Sequence, residues 1–320
     1  VPAPAWFQTR GLIALAVGAG LIALVLSGAA ERQLSVFATL VLGLGLLLVL
    51  NAVRLKAQRS PGMIGSLMDD LATMPTLMKR LALVQFTSWF AFFTLWVYLN
   101  SAVTSHHFGT TDPTSEAFGA GSLAVNDIFA VYSLVAWGFS LLIPLFINKL
   151  RESFITTAIW ITVGSIIFVG LFYLITSDVR LVYIGLAMAI LCVATLKIGI
   201  GLKPFYALSL LVGGLSFIAI RYLDPSQFAI AATGIGVVWA CVLTLPYALL
   251  ADALPAERMG TYMGIFNYFI VIPQLVVGTI MGTVLTTLLG GATILTLVVA
   301  GGVMMSGALL LVFVPYEKPV

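Results

Sequence analysis

Long runs of apolar residues constrain this chain more than any other feature of its sequence. About 20 apolar residues in a helix cross the hydrocarbon core of a bilayer. Every backbone polar group in lipid must be hydrogen-bonded within the protein, which leaves helices and closed barrels. The alternating pattern of barrel strands is absent. The sequence therefore predicts an all-α bundle of about ten transmembrane helices, at roughly 11–29, 34–53, 82–104, 128–147, 154–176, 181–196, 204–220, 228–250, 261–286 and 292–314.

Composition supports a protein whose main solvent is lipid. Of the 320 residues, 61% are hydrophobic and only 8% are charged, whereas soluble domains carry about 25% charged residues. So few charges cannot cover a water-facing surface, and the lipid bilayer is the expected partner. The net charge of +3 is small and dispersed, so no nucleic-acid partner is expected. Cys192 and Cys241 lie in apolar runs and are interpreted as small core residues rather than metal or redox groups.

Lysine and arginine predict the orientation of the bundle, because they concentrate on the cytoplasmic side. With the N-terminus inside, only Arg32, Arg180 and Arg221 of the 15 basic residues fall outside. The loss of one span would scramble this partition. We therefore predict an integral, multi-pass protein of the bacterial inner (plasma) membrane, with both termini of the segment cytoplasmic.

The connecting segments suggest how the bundle is divided. Residues 54–81 form the longest connection, which is basic and amphipathic, and we predict a cytoplasmic linker that acts as a hinge between two helical groups. Residues 105–125 are predicted to form the main outside loop. The adjacent His106 and His107 are interpreted as exposed loop residues, because no further metal ligand is spaced to bind a metal with them.

The N-terminal stretch lacks an initial Met, a basic n-region and a cleavage site. It therefore suggests a piece of a longer protein without a signal peptide.

An apolar helix near the C-terminal end carries two amides and a proline. Asn267 and Gln274 are seven residues apart and so lie on one helix face. Pro273 cannot donate to the carbonyl of Phe269, so we expect a kink there. The face either lines a polar cavity or forms a packing seam, since it also carries small residues at four-residue spacing: Gly260, Gly264, Gly278 and Gly282.

A second face combines amides and aromatic rings. Its members recur at helical spacing in the run that starts at residue 82: Gln85, Trp89, Phe92, Trp96 and Asn100. Aromatic faces and amide hydrogen bonds suit a sugar, which has apolar C–H faces and a polar rim. Packing against other helices, or an interfacial aromatic belt, is the alternative interpretation.

Charged residues near the ends of predicted spans are candidates for gating or coupling. Asn126 and Asp127 enter the span 128–147 from outside, where a carboxylate also suits a helix N-terminus as a cap. Asp252 and Arg258 lie with Glu257 at the cytoplasmic ends of two helices. That position is compatible with two interpretations. One is a salt bridge that opens and closes with transport, and the other is ordinary capping and anchoring.

Two segments resemble a known transporter family. The stretch LPYALLADALPAERMGTYMGIFNYFIVIPQ closely resembles the tenth and eleventh helices of the glycoside-cation symporter branch of the major facilitator superfamily. It is most similar to the bacterial relatives of sucrose transporters and of the animal solute carrier 45 group. The helix QFTSWFAFFTLWVY, followed by HHFGT, resembles the seventh helix and outside loop of the same bacterial relatives.

The resemblance implies an arrangement for the whole segment. Such transporters have twelve helices in two halves joined by a cytoplasmic linker. Residues 1–53 are then the last two helices of the N-terminal half, 54–81 the linker and 82–320 the C-terminal half. The first four helices, absent here, become partners from the same protein and hold most of the family's proton-coupling acids. Residues 153–200 exceed the family pattern and are expected to be an inserted two-helix hairpin.

The resemblance and the residues together predict a proton-coupled sugar symporter, for a disaccharide or glycoside, that works by alternating access. Gln85, Trp89, Trp96 and Asn100 are expected to line one side of the cavity. Asn267 and Gln274, at the Pro273 kink, are expected to line another. Asp127, Asp252 and Arg258 are candidates for gating or coupling. No cofactor or metal is expected.

Four alternatives remain open at the level of sequence. Within transport, the alternatives are an exporter and a carrier of a non-sugar solute. From another class, they are a membrane sugar sensor that binds without transport and a polytopic membrane enzyme. An enzyme needs a catalytic acid, base or metal cluster near the bilayer, and the sequence shows none, so we expect no enzymatic activity.

Overall fold

The computed structural model of the chain describes residues 1–30, 32–140, 143, 201–251, 254 and 258–315. Within these residues the chain is all helical and no strand occurs. The helices are α1 (Pro4–Leu26), α2 (Leu34–Lys56), α3 (Met63–Ala72), α4 (Thr76–His107), α5 (Glu116–Ser140), α6 (Leu202–Ala219), α7 (Phe228–Ala251), α8 (Met259–Thr287) and α9 (Ile294–Val312), with a short 3₁₀ helix at Pro225–Gln227.

Eight of the described helices, all except α3, are long and apolar enough to cross a membrane. The prediction of an all-α, multi-pass membrane protein is confirmed at this level. The predicted spans 154–176 and 181–196, and with them the predicted hairpin at 153–200, lie outside the described residues.

The predicted outside loop at 105–125 is much shorter in the structure. Helix α4 continues to His107 and α5 already begins at Glu116, so the loop covers only 108–115. The Ser115 hydroxyl accepts a hydrogen bond from the Phe118 N–H at 3.2 Å and so caps α5. The prediction was wrong because the glycines of this stretch indicate a loop by composition.

One of these glycines has a packing role inside α5. A Cβ atom at Gly121 would lie 2.8 Å from Cγ2 of Thr104 and 3.0 Å from Cδ2 of Phe108. Only a residue without a side chain allows this approach of the two chain segments. The sequence signal of a loop was therefore a signal of close helix packing.

The described chain divides into two compact units. Unit 1 comprises Val1–Ala82 and Leu254–Gly291. In it α1 and α2 form a tightly packed pair, because Gly11 and Gly45 meet: a Cβ at Gly11 would lie 2.8 Å from the Gly45 carbonyl oxygen. Helix α3 adds Met68 to a small core with residues of α1 and α2: Phe7, Leu48 and Ala52.

Unit 2 comprises Leu83–Ala253 and Ala292–Val320. Helix α7 lies at its centre and packs against α5 and α6, and α6 packs in turn against α9. The α6–α9 contact is close because two glycines face each other. A Cβ at Gly301 would lie 2.5 Å from the carbonyl oxygen of Gly214. The part of α4 that follows Ala82 belongs to this unit and positions the candidate site.

Candidate binding site

An aromatic cluster forms in unit 2 around Trp239 of α7. Its ring centroid lies 5.5 Å from that of Trp89, 4.7 Å from that of Phe92 and 5.3 Å from that of Trp96. The three α4 residues share one helix face, as the sequence predicted, and Trp89 and Trp96 also meet edge to face at 6.2 Å. Trp239 was missed because it stands alone in an apolar run without a polar neighbour to mark it.

Buried polar atoms without partners lie beside this cluster. Gln85, one helical turn before Trp89, is fully buried. Within the described residues, the two polar amide atoms of Gln85 and the indole nitrogen of Trp89 have no hydrogen-bond partner. Burial of an unpaired polar group costs free energy. The arrangement therefore offers an acceptor and two donor groups to a molecule that enters from outside the chain.

The remaining residues of this face have different surroundings. The indole N–H of Trp96 donates to the hydroxyl of Tyr132 on α5 at 3.3 Å, which orients the ring but occupies its donor. Asn100 is half-buried, and its backbone carbonyl accepts from the Thr104 hydroxyl at 2.8 Å. The aromatic rings, one amide and one indole N–H thus form a neutral site with apolar faces and hydrogen-bonding groups at one end.

The amides of α8 belong to unit 1. Pro273 is buried inside α8, Gln274 is half-buried and Asn267 is exposed. At Gly264 and Gly278, on the face of Asn267, an added Cβ would meet no atom within 4 Å. At these two glycines, therefore, no described residue makes the close helix approach that the packing-seam interpretation expects. That these amides share a cavity with the α4 face stays a prediction.

Arg258 pairs with an acid that the sequence analysis did not single out. Its guanidinium lies 2.7 Å from the carboxylate of Asp70 in α3, whose side chain is only 7% exposed. Asp252, the predicted partner in gating, lies outside the described residues. The signal that the sequence analysis missed is the pair of adjacent acids, Asp69 and Asp70, in the linker. The linker has a basic net charge, so a count of its charges hides this pair.

The other member of this pair, Asp69, contacts α2. Arg54 donates to Asp69 at 2.6 Å and the amide of the buried Asn51 donates to it at 3.0 Å. The two acids of α3 thus hold the helix to α2 on one side and to the start of α8 on the other. A segment predicted as a hinge contains a helix fixed by two ion pairs.

Asp127 does not stand at a helix terminus. Helix α5 begins at Glu116, so Asp127 lies about 16 Å along the helix at 1.5 Å per residue. The capping interpretation is wrong for this reason. Asn126 and Asp127 are both exposed, and the gating role of Asp127 stays a prediction.

The two histidines end α4 rather than lie in a loop. The Nε2 atom of His107 is 2.8 Å from the Ile220 carbonyl oxygen, and that of His106 is 3.1 Å from the Arg221 carbonyl oxygen. A carbonyl only accepts, so both Nε2 atoms carry hydrogen. The pair satisfies carbonyls beyond the end of α6. Among the described residues no three His, Cys, Asp or Glu side chains group to hold a metal.

Comparisons with known proteins add no assignment to this geometry. No protein-family model, no curated protein and no solved structure matches the chain. The site is therefore interpreted from its own residues.

Proposed function

We propose that the chain belongs to a secondary transporter for a neutral sugar, which binds at Gln85, Trp89, Trp96 and Trp239. The observation that carries the proposal is the unpaired, fully buried amide of Gln85 next to the aromatic cluster. An unpaired amide in a core is costly, and a ligand that supplies its hydrogen bonds removes that cost.

The chemistry of the site favours a sugar over other small solutes. A sugar ring presents C–H faces that stack on indole rings, and hydroxyl groups that both donate and accept. The amide of Gln85 can accept through Oε1 and donate through Nε2, and Trp89 can donate through Nε1. These groups are all neutral, so they match an uncharged solute better than a phosphate or a carboxylate.

The transport mechanism in the proposal comes from the resemblance to glycoside-cation symporters. The sugar binds between two halves that alternately open to each side, and its movement is coupled to protons. By the same resemblance, Asn100, Asn267 and Gln274 are further candidates for contact with the sugar, and Pro273 is the candidate bend of α8. Asp127, Asp252 and Arg258 are the candidates for gating and coupling.

Uptake of labelled disaccharides into proteoliposomes that contain the purified full-length protein tests the proposal. Uptake should rise with an inward proton gradient and should fall in Gln85→Leu and Trp89→Leu. Leu83→Ala is the matched control, because Leu83 is 54% exposed on the same helix. Equal uptake with and without the gradient contradicts proton coupling. Sugar binding without uptake supports a sensor. The absence of both binding and uptake contradicts the proposal.

A further inference from the structure

Both acids of α3 are buried and paired inside unit 1. The carboxylate of Asp69 lies 2.6 Å from the guanidinium of Arg54 on α2, and its side chain is 13% exposed. The carboxylate of Asp70 lies 2.7 Å from the guanidinium of Arg258, and its side chain is 7% exposed. Neither carboxylate is therefore available to neutralise the exposed cations at this end of the unit.

Three exposed cations lie at the same end of unit 1. Lys56 ends α2 and donates from Nζ to Oε1 of Gln8 at 2.6 Å, which places it beside the start of α1. The Arg10 guanidinium lies over the ring of Trp6, 3.9 Å from the centroid, and Arg59 is exposed in the connection to α3. Among the described residues no carboxylate forms an ion pair with any of the three, so positive charge is in excess here.

The start of α3 lies level with the end of α2. A Cβ atom at Gly65 would lie 3.1 Å from Cδ of Arg54, which belongs to the last turn of α2. Helix α2 ends at Lys56 and its antiparallel partner α1 begins at Pro4, and both helices are long and apolar enough to cross a membrane. The ends of two paired spans lie at one surface of the bilayer, so the first turn of α3 lies near that surface.

Two large apolar side chains of this first turn are uncovered. Met63 is 87% exposed and Ile64 is 54% exposed, whereas later residues of α3 such as Leu67 and Met68 pack against α1 and α2. The two ion pairs hold α3 in place, so the helix cannot rotate to bury its first turn. Exposed apolar side chains beside exposed cations are typical of a helix that lies in the membrane interface.

We infer that the first turn of α3, with Arg10, Lys56 and Arg59, forms a binding site for an anionic phospholipid. Met63 and Ile64 enter the acyl boundary, and the three cations contact the charged headgroup. A free phosphate ion would leave the two apolar side chains uncovered, and a zwitterionic headgroup would leave the excess positive charge unbalanced. The inference goes beyond the proposed sugar site and does not depend on it.

Local fluorescence quenching in bilayers tests the depth of this turn. The full-length variant Met63→Cys, with Cys192 and Cys241 replaced by Ala, carries an environment-sensitive nitrobenzoxadiazole label. Lipids with a doxyl group near the headgroup should quench the label more than lipids with a doxyl group near the chain end. Leu44→Cys, at an exposed position near the middle of α2, should show the opposite order. Thr111→Cys, exposed in the loop after α4, should be quenched by neither lipid.

The same label at Met63→Cys measures the headgroup preference. At equal lipid content, doxyl-labelled phosphatidylglycerol should quench it about twofold or more above doxyl-labelled phosphatidylcholine, because cations near the surface attract anionic lipid. The double variant Lys56→Gln with Arg59→Gln should lose most of this excess, and high salt should reduce it. Arg32→Gln is the matched control and should keep the excess, because Arg32 is exposed at the opposite end of α2.

Three results overturn the inference. Quenching at Met63→Cys by neither lipid shows that water or another protein segment covers the turn, and quenching in the order of Leu44→Cys shows a deep position. Equal quenching by the two headgroups, or an equal loss of the excess in Arg32→Gln, removes the lipid site.

Should the cysteine-free protein fail to fold, melting temperatures of the full-length protein with its native cysteines decide the matter. Nanodiscs of phosphatidylglycerol should raise the melting temperature relative to nanodiscs of phosphatidylcholine. Lys56→Gln with Arg59→Gln should lose most of that rise, and Arg32→Gln should keep it. Equal melting temperatures in the two lipids, or the full rise in the double variant, contradict the inference. None of these measurements requires sugar binding or transport.

Discussion

The guanidinium of Arg258 lies 2.7 Å from the carboxylate of Asp70, and this contact holds the linker helix α3 to the start of α8. The Arg258 side chain is half exposed, but that of Asp70 is buried. Asp69, the neighbour of Asp70, pairs with Arg54 of α2 at 2.6 Å. The short helix α3 therefore connects two long helices of unit 1 through charge.

Replacement of Arg258 by Ala should destabilise the protein. Among the described residues, no other cation forms an ion pair with the buried carboxylate of Asp70, and an unsatisfied buried polar group costs about 1–3 kcal/mol. Asp70→Asn should cost less, because it removes the charge that needs a partner. Thermal unfolding in detergent, monitored by fluorescence, gives both values.

A double-mutant cycle and an exposed arginine serve as controls for this pair. The double variant Arg258→Ala with Asp70→Asn should be more stable than the two single losses together predict. Arg59→Ala, at an exposed position of the same connection, should leave the stability unchanged. Additive losses in the cycle would show that the 2.7 Å contact is not energetically coupled.

The glycine contact between α6 and α9 predicts a second stability change. Gly301→Ala places a Cβ atom 2.5 Å from the Gly214 carbonyl oxygen, so the helices must separate, at a cost of about 1–3 kcal/mol. Gly302→Ala is the matched control. An added Cβ there meets nothing within 4 Å, and removal of a helical glycine should stabilise by about 0.5–1 kcal/mol. Equal melting temperatures for the two variants would refute this packing.

The helices were predictable from the sequence because a segment that crosses lipid must be apolar and about 20 residues long. Runs such as 34–53 and 261–286 correspond to α2 and α8, since about 20 apolar residues admit one structure in a bilayer. The boundary at α5 was not predictable in this way. Gly119 and Gly121 both lie inside α5, and Gly121 allows close packing there. From the sequence alone, a glycine that packs inside a helix cannot be told from a glycine in a loop.

The candidate site was predictable only where its residues share one helix. The spacing of Trp89, Phe92 and Trp96 places them on one face, whereas Trp239 reaches them from α7, which spacing along a sequence cannot show. The Arg258–Asp70 pair joins residues far apart in the chain and was missed for the same reason.

Trp239 should contribute to sugar binding as much as the predicted Trp89. Trp239→Leu removes an aromatic platform whose contacts are worth about 0.5–1.5 kcal/mol, or roughly two- to tenfold in affinity. Trp239→Phe should retain most of the affinity. Calorimetric titration with the transported disaccharide measures both, and Leu243→Ala on the exposed side of α7 is the control. Wild-type affinity in Trp239→Leu would limit the site to α4.

Gln274→Leu tests the part assigned to α8. If Gln274 contacts the sugar, folding should stay largely intact and sugar affinity should fall roughly two- to tenfold, since a net hydrogen bond is worth about 0.5–1.5 kcal/mol. If Gln274 only joins helices, the melting temperature should fall at normal affinity. Unchanged affinity in monodisperse protein would remove α8 from the proposed site.

Gln85→Leu provides the most direct measurement of the central claim, that the buried, unpaired amide of Gln85 serves a sugar. Leucine has a similar size and no unpaired polar atom, so the melting temperature should stay the same or rise. Sugar affinity, measured by titration on the same purified protein, should fall roughly two- to tenfold. A lower melting temperature together with unchanged affinity would contradict the account, because the amide would then stabilise the fold and not the ligand.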